Sequence, residues 1–107
     1  MNIDIDIHSL SVDEFKKYKL VDVREPEECD ANPPISDKVD FIPLSEIETK
    51  LDFFNKDNAY LLYCAMGGRS HYLAEVLESK GIKALSVNNG IDSVNAYLKK
   101  NIHANSV

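Results

Sequence analysis

Ile3, Ile5 and Ile7 alternate with Asp4, Asp6 and His8, the period of two that a strand with one buried face requires. Acidic side chains on the other face suit a sheet edge, where charge discourages pairing with a second chain. In Ser11-Val12-Asp13-Glu14 a hydroxyl stands three residues ahead of a glutamate, a capping box that opens a short helix running to about Tyr18. Leu20-Val21-Asp22-Val23 is apolar enough for a strand covered on both faces, and Pro26 with the acidic run Glu25 to Asp30 ends it in a loop.

Pro33 and Pro34 exclude helix and central strand alike, so Ala31 to Asp37 is expected as a surface loop. Val39 to Ile42 predicts a short strand. Ser45-Glu46-Ile47-Glu48 then forms a second capping box, with Ile47, Leu51 and Phe54 on one helical face. Ala59 to Cys64 is a continuous apolar run between Lys56-Asp57-Asn58 and Gly67-Gly68, the pattern of a strand at the centre of a sheet. Leu73, Val76 and Leu77 share a face of a helix from about Ser70 to Lys80, closed by Gly81. Ala84 to Val87 is a last strand, Asn88-Asn89-Gly90 a turn, and Ile91, Val94 and Leu98 mark a final helix, with a tail expected to fray from about Asn101.

Strands alternating with helices define an α/β protein with a mostly parallel sheet and helices on both faces, and such sheets bind ligands beyond the carboxyl ends of their strands. A chain of 107 residues buries one continuous core, so residues 1–107 are expected to form one domain. Apolar residues make up 44% of it, yet no run approaches the roughly 20 that a membrane helix needs. The first residues, Met1 to Asp6, are acidic where a secretory signal is basic, and a cytoplasmic protein is expected. A net charge of −6, with no basic cluster beyond Lys16-Lys17 and Lys99-Lys100, argues against nucleic acid as a partner. Cys29 and Cys64 are too few for a disulfide scaffold and lie in no metal-binding pattern, so reduced thiols and no metal or cofactor are expected.

Cys64 stands at the carboxyl end of the best central strand and is followed by Ala65-Met66-Gly67-Gly68-Arg69-Ser70 and a helix. A tight turn with two glycines can aim several backbone N–H groups at one point, and the helix start adds partial positive charge to which Arg69 adds a full one. Those surroundings favour a thiolate, the reactive form of cysteine. Taken alone, Cys64 fits better the role of a small buried hydrophobe, and the flanking loop reverses that balance. The conjunction of nucleophile, glycines, arginine and helix start favours chemistry.

Cys64 to Ser70 resembles the Cys-x-x-Gly-x-Arg-Ser active-site loop of the rhodanese family, and Asp22-Val23-Arg24-Glu25 resembles that family's Asp-x-Arg-Glu segment. Phe41-Ile42-Pro43-Leu44-Ser45 is similar to its Asn-Ile-Pro-Leu-Ser stretch, and Gly81-Ile82 with Gly90-Ile91 to its C-terminal part. The resemblance implies a rhodanese-like fold, a five-stranded parallel sheet with helices on both sides, and transfer of sulfane sulfur through a cysteine persulfide. It makes Cys64 the persulfide carrier and Ala65, Met66, Gly67, Gly68, Arg69 and Ser70 the loop that binds substrate, with Asp22 and Arg24 in support. Ala31 to Asp40 lacks the family's Gly-His-Ile-x-Gly-Ala pattern, so this loop is expected to be reshaped. The chain has no tryptophan where the family often carries one after Gly-Gly, and Val94 is expected to fill that place.

Asp22 and Arg24 form a paired charge suited to holding loops together. Cys29 lies in an acidic stretch that disfavours its thiolate, His71 on a solvated helix face, and His8 and His103 carry no pattern. The expected activity is that of a thiosulfate sulfurtransferase: sulfur taken from a small sulfur-containing anion such as thiosulfate, or from a protein persulfide, and passed to a thiol, cyanide or a sulfur-carrier protein. Two alternatives stand beside it. One is a sulfur-carrier or regulatory docking module of the same fold. The other is a cysteine phosphatase or arsenate reductase, whose loop needs five residues between cysteine and arginine where this chain has four, Ala65 to Gly68.

Overall fold

Side chains alternate across a strand, and in Ala59–Tyr63 (β4) this alternation divides the protein into two cores. Tyr60 and Leu62, followed by Cys64, point to one face; Leu61 and Tyr63 point to the other. The computed structural model, which describes residues 2–101, sets β4 at the centre of a five-stranded sheet. The other strands are Asp4–Ile5 (β1), Lys19–Asp22 (β2), Asp40–Phe41 (β3) and Lys83–Val87 (β5), in the order β1-β5-β4-β2-β3 with every pairing parallel. Leu20 pairs with Leu61 and Asp22 with Tyr63, while Leu62 pairs with Ser86. The carboxyl ends of β2, β4 and β5 therefore share one rim of the sheet.

The helix Gly68–Ser79 (α4) covers the face of Cys64 with Leu73, Ala74 and Leu77, joined by Phe54 and by the partly buried Ile47 and Leu51. Its C-terminal end is closed by Gly81 at φ +80°, a conformation that glycine adopts without strain. The helices Val12–Phe15 (α1) and Gly90–Asn101 (α5) cover the opposite face, where Ile91, Val94, Tyr97 and Leu98 meet Ile7, Leu20, Leu61 and Tyr63. Val94 is fully buried in this cluster, in keeping with its expected packing role. Ser11 caps α1 in the predicted capping box. The first strand is shorter than the isoleucine alternation suggests, because Asp6 accepts from the His8 N–H and turns Ile7–Ser9 into a 3-10 helix. Residues 102–107, which hold most of the tail expected to fray, lie outside the described residues; Asn101 itself ends α5.

Two local expectations are corrected. The acidic run after β2 is not a loop but a helix, Pro26–Ala31 (α2): Pro26 sits in the first turn, where its missing N–H costs nothing, and the Glu28 carboxylate accepts from the Glu25 N–H at 3.0 Å. Ser45 does not cap a helix. It lies within a 3-10 turn, Leu44–Glu46, and its hydroxyl donates to Glu25 at 2.7 Å. An ionised carboxylate is a stronger partner than a backbone amide, so the segment continues as one α-turn, Ile47–Lys50 (α3), and a second 3-10 turn, Leu51–Phe53. Between α2 and β3 the predicted irregular loop is present, pinned by Asn95 of α5 through the Ile35 N–H and the Pro33 carbonyl.

At the carboxyl end of β2 the chain buries a complete ion pair. Asp22 and Arg24 are 0% and 2% exposed, and the Asp22 carboxylate accepts from the Arg24 backbone N–H, Nε and Nη2 at 2.8–3.1 Å. Arg24 Nη1 reaches the Glu28 carbonyl of α2, and its guanidinium lies 5.8 Å from the Tyr63 ring centroid. Breaking such a pair leaves a buried uncompensated charge. Asp22→Ala is expected to lose about 3–5 kcal/mol of stability in denaturant titration, whereas Lys50→Ala, which breaks the exposed Lys50–Glu46 pair, should shift stability by about 0.5 kcal/mol or less.

Candidate active site

Strand parity aims Cys64 at α4, and the four residues Cys64 to Gly67 carry the chain from strand to helix. This reversal requires Gly67 at φ +117°, in the region that side chains avoid. With Gly67 so placed, its N–H donates to Cys64 Sγ at 3.0 Å. Ser70 is buried in the first turn of α4, its Oγ 3.5 Å from the sulfur. Burial alone raises the Cys64 pKa, but the Ser70 hydroxyl and the amides of Ser70, Gly67 and Met66 outweigh it, and the thiol is held below its ordinary value. The site therefore stabilises an anion on sulfur where little water reaches it. Ala65 and Gly68 complete the turn, and Met66, 85% exposed, stands at its outer edge.

The second glycine that the loop needs is distant in sequence. Gly90 begins α5 at φ +57°, and a Cβ there would overlap the carbonyls of Cys64 and Ala65. That close approach lets the Ile91 N–H donate to the Cys64 carbonyl at 2.9 Å, fixing the backbone of Cys64. The Asn89-Gly90 pair identifies a turn in the sequence, but only the fold shows which backbone it meets.

Arg69 does not stand free beside the sulfur. Its Nη1 and Nη2 bind the two oxygens of Glu28 at 2.6 and 2.8 Å, a bidentate pair joining α2 to the first turn of α4, with the two side chains 36% and 35% exposed. The Arg69 guanidinium first, and the Glu25 backbone N–H second, hold the Glu28 carboxyl down at about 2. Because the segment that carries Glu28 reads as a loop in the sequence, this partner was not visible there. Asp22 and Arg24 lie one strand away as a closed pair.

Cys29 is in α2, half-buried, with its thiol 3.6 Å from Asp22. Burial, and next the Asp22 carboxylate, push it up to about 11, so the two cysteines are driven in opposite directions. It lines a groove of about 360 Å³ with Arg24, Pro26, Pro33, Pro34 and Phe41. His71 bonds Asp4 of β1 at 2.8 Å and lies 3.5 Å from Glu75, and the Asp4 bond foremost raises its pKa. No group of three or more potential metal ligands occurs among the described residues.

The Glu28–Arg69 pair makes stability pH-dependent in a defined window. The folded carboxyl titrates near 2 and the unfolded one near its ordinary 4.5, so the pair contributes fully above about 4.5 and is lost as the pH falls toward 2. Wild type should exceed Glu28→Gln in denaturant midpoint at about pH 6, by about 1 kcal/mol or less given the exposure of both groups. The gap should close by about pH 2. A gap constant across that range would show that the carboxylate charge is not its source.

Comparison with known proteins agrees with this geometry. Residues 11–97 match the family model for the Rhodanese-like domain. A solved rhodanese-related protein from Thermoplasma volcanium superposes with a TM-score of 0.75 at 31% identity, covering 88% of this chain and 91% of that one. YtwF of Bacillus subtilis is 35% identical over 72 residues, 67% of this chain and 68% of its own length. The tRNA sulfurtransferase of Desulfurococcus amylolyticus is 33% identical over 78% of this chain, which spans only 22% of that enzyme. Parallel sheet, strand-end cysteine, amide-lined turn and sequence similarity together make this chain a member of the rhodanese-like domain family.

Proposed function

We propose that the protein is a sulfurtransferase that carries sulfane sulfur on Cys64, taking it from thiosulfate or a persulfide donor. The observation that carries this reading is a buried sulfur at a strand end that accepts from the Gly67 N–H and has the Ser70 hydroxyl beside it, in the first turn of α4. The Cys64 thiolate attacks the outer sulfur of thiosulfate. A new S–S bond forms, the old one breaks, and sulfite leaves with the electron pair. The persulfide is also anionic, so the same donors hold it. A thiolate, cyanide or sulfur-carrier acceptor then attacks the outer sulfur and Cys64 leaves as a thiolate, with no external oxidant or cofactor required.

The four-residue spacing between Cys64 and Arg69 favours a single sulfur or small sulfur anion over the larger tetrahedral group of a phosphate ester. A second reading, a carrier that passes sulfur within a larger assembly, is favoured by the match to only 22% of the Desulfurococcus amylolyticus tRNA sulfurtransferase. The negative surface suits small thiols or a basic carrier protein better than a polyanionic acceptor. We place the protein in the cytoplasm, where a reduced Cys64 is maintained.

Incubation with thiosulfate should add one sulfur atom to the protein by intact mass, removable by a thiol, and Cys64→Ser should take up none. Uptake by Cys64→Ser, or none by wild type from any donor, would overturn the assignment. Arg69 serves donor binding in this reading as the cation nearest the loop. Since Glu28 engages both its terminal nitrogens, Arg69→Ala should lower kcat/KM for thiosulfate by about tenfold, near the low end for a charge-assisted hydrogen bond. A persulfide donor of lower charge should lose less. An unchanged thiosulfate rate in a folded variant would make Arg69 purely a clamp on α2.

A further inference from the structure

Ser86 is a polar residue buried in the middle of an apolar sheet face, and neither the family motif nor the transfer chemistry uses it. It lies on β5, opposite Leu62, is 1% exposed, and points to the same side as Cys64. Its Oγ is 2.7 Å from Ser70 Oγ and 3.4 Å from the Gly67 carbonyl. Ser70 Oγ is in turn 3.2 Å from that carbonyl and 3.5 Å from Cys64 Sγ. Two hydroxyls thus share two protons among a sulfur, a carbonyl and each other.

Proton counting limits the arrangements. Ser70 has one proton and two acceptors besides Ser86, namely Cys64 Sγ and the Gly67 carbonyl, and the carbonyl is the nearer. If Ser86 donates to Ser70, Ser70 is free to give its own proton to the sulfur, and its O–H is polarised by the bond it accepts. The carbonyl is an acceptor for that proton in either case; what is lost without Ser86 is the bond that polarises the Ser70 O–H. We propose that Ser86 is a positioning residue, whose hydroxyl donates into Ser70 and so strengthens the bond that Ser70 gives to the sulfur of Cys64.

The order can reverse with the charge on Cys64. While Cys64 is a thiol, its S–H can donate to Ser70, Ser70 to Ser86, and Ser86 to the Gly67 carbonyl. Once the sulfur is an anion, both hydroxyls rotate toward it, and no proton leaves the serines. The pair stabilises the anion without burying an unsatisfied hydroxyl in the thiol state.

The charged groups on the surrounding elements are Arg69 and His71 of α4, Asp92 in the first turn of α5, Asp22 at the end of β2 with Arg24 just after it, and Glu28 of α2. Among the described residues none of their side chains bonds either serine, so replacing Ser86 leaves their fields in place. The proposal deepens the sulfurtransferase reading, but its test uses sulfur-free protein and stands whether or not Cys64 loads sulfur.

The test is the pH dependence of Cys64 alkylation by iodoacetamide, followed by peptide mass to separate it from Cys29. Ser86→Ala should move the Cys64 inflection up by about half to one pH unit, the scale of one modest hydrogen bond. Ser70→Ala should move it at least as far, and Ser70→Ala/Ser86→Ala should match Ser70→Ala alone. Ser86→Thr and Ser86→Val add the same volume and differ only in the hydroxyl, so they isolate it if the alanine variant folds poorly. The threonine variant should titrate about half to one unit below the valine variant. An unmoved inflection in Ser86→Ala, equal inflections for threonine and valine, or the same Ser86 shift in the Ser70→Ala background would each overturn the proposal.

Discussion

A sulfur whose anion must be favoured although it is held out of water is the constraint on which the rest of this structure depends. Desolvation works against any charge at Cys64, and only donors already aimed at the sulfur can reverse that penalty. Backbone amides serve this purpose because the fold fixes their direction before any substrate arrives. The requirement explains the positive φ of Gly67, the helix starting directly behind the turn, and the absence of a side chain at Gly90, where another would displace the loop.

A turn of four residues cannot hold such a geometry by itself. It is braced by the Ile91 amide on the Cys64 carbonyl, by the Glu28–Arg69 pair on the first turn of α4, and by His71 on Asp4 of β1. Each brace comes from a different segment. The buried Asp22–Arg24 pair is of another kind: it closes the end of β2 on itself and hands one nitrogen to α2. Through that contact the helix that carries Glu28 is tied to the sheet. The two arginine–carboxylate pairs thus differ: one is buried and orders backbone, the other is half-exposed and links helices, and of these two only the second lies within reach of solvent ions.

The same division separates the two cysteines. Both sit near the carboxyl rim of the sheet, but Cys29 faces the Asp22 carboxylate without amides to offset it, whereas Cys64 is ringed by donors. Reactivity follows from the sign of the local field rather than from exposure, since the more buried thiol is the one favoured as an anion.

Local pattern determined a great deal. The apolar run of β4, the apolar face of α4, the Ser11 capping box and the glycines after Cys64 are properties of neighbours along the chain, and periodicity and turn chemistry express them directly. They were enough for an α/β sheet with Cys64 at a central strand end. The acidic residues of α2 misled, because Pro26 reads as a terminator of β2 and serves instead as the first turn of the next helix. Ser45 misled because its partner Glu25 lies twenty residues away. The contacts of Ser86, Glu28 and Gly90 were hidden for one shared reason: each acts on the Cys64 turn from another strand or helix. Which face of β5 meets which turn of α4 is set by strand register, crossover and packing, and only the assembled tertiary structure decides these.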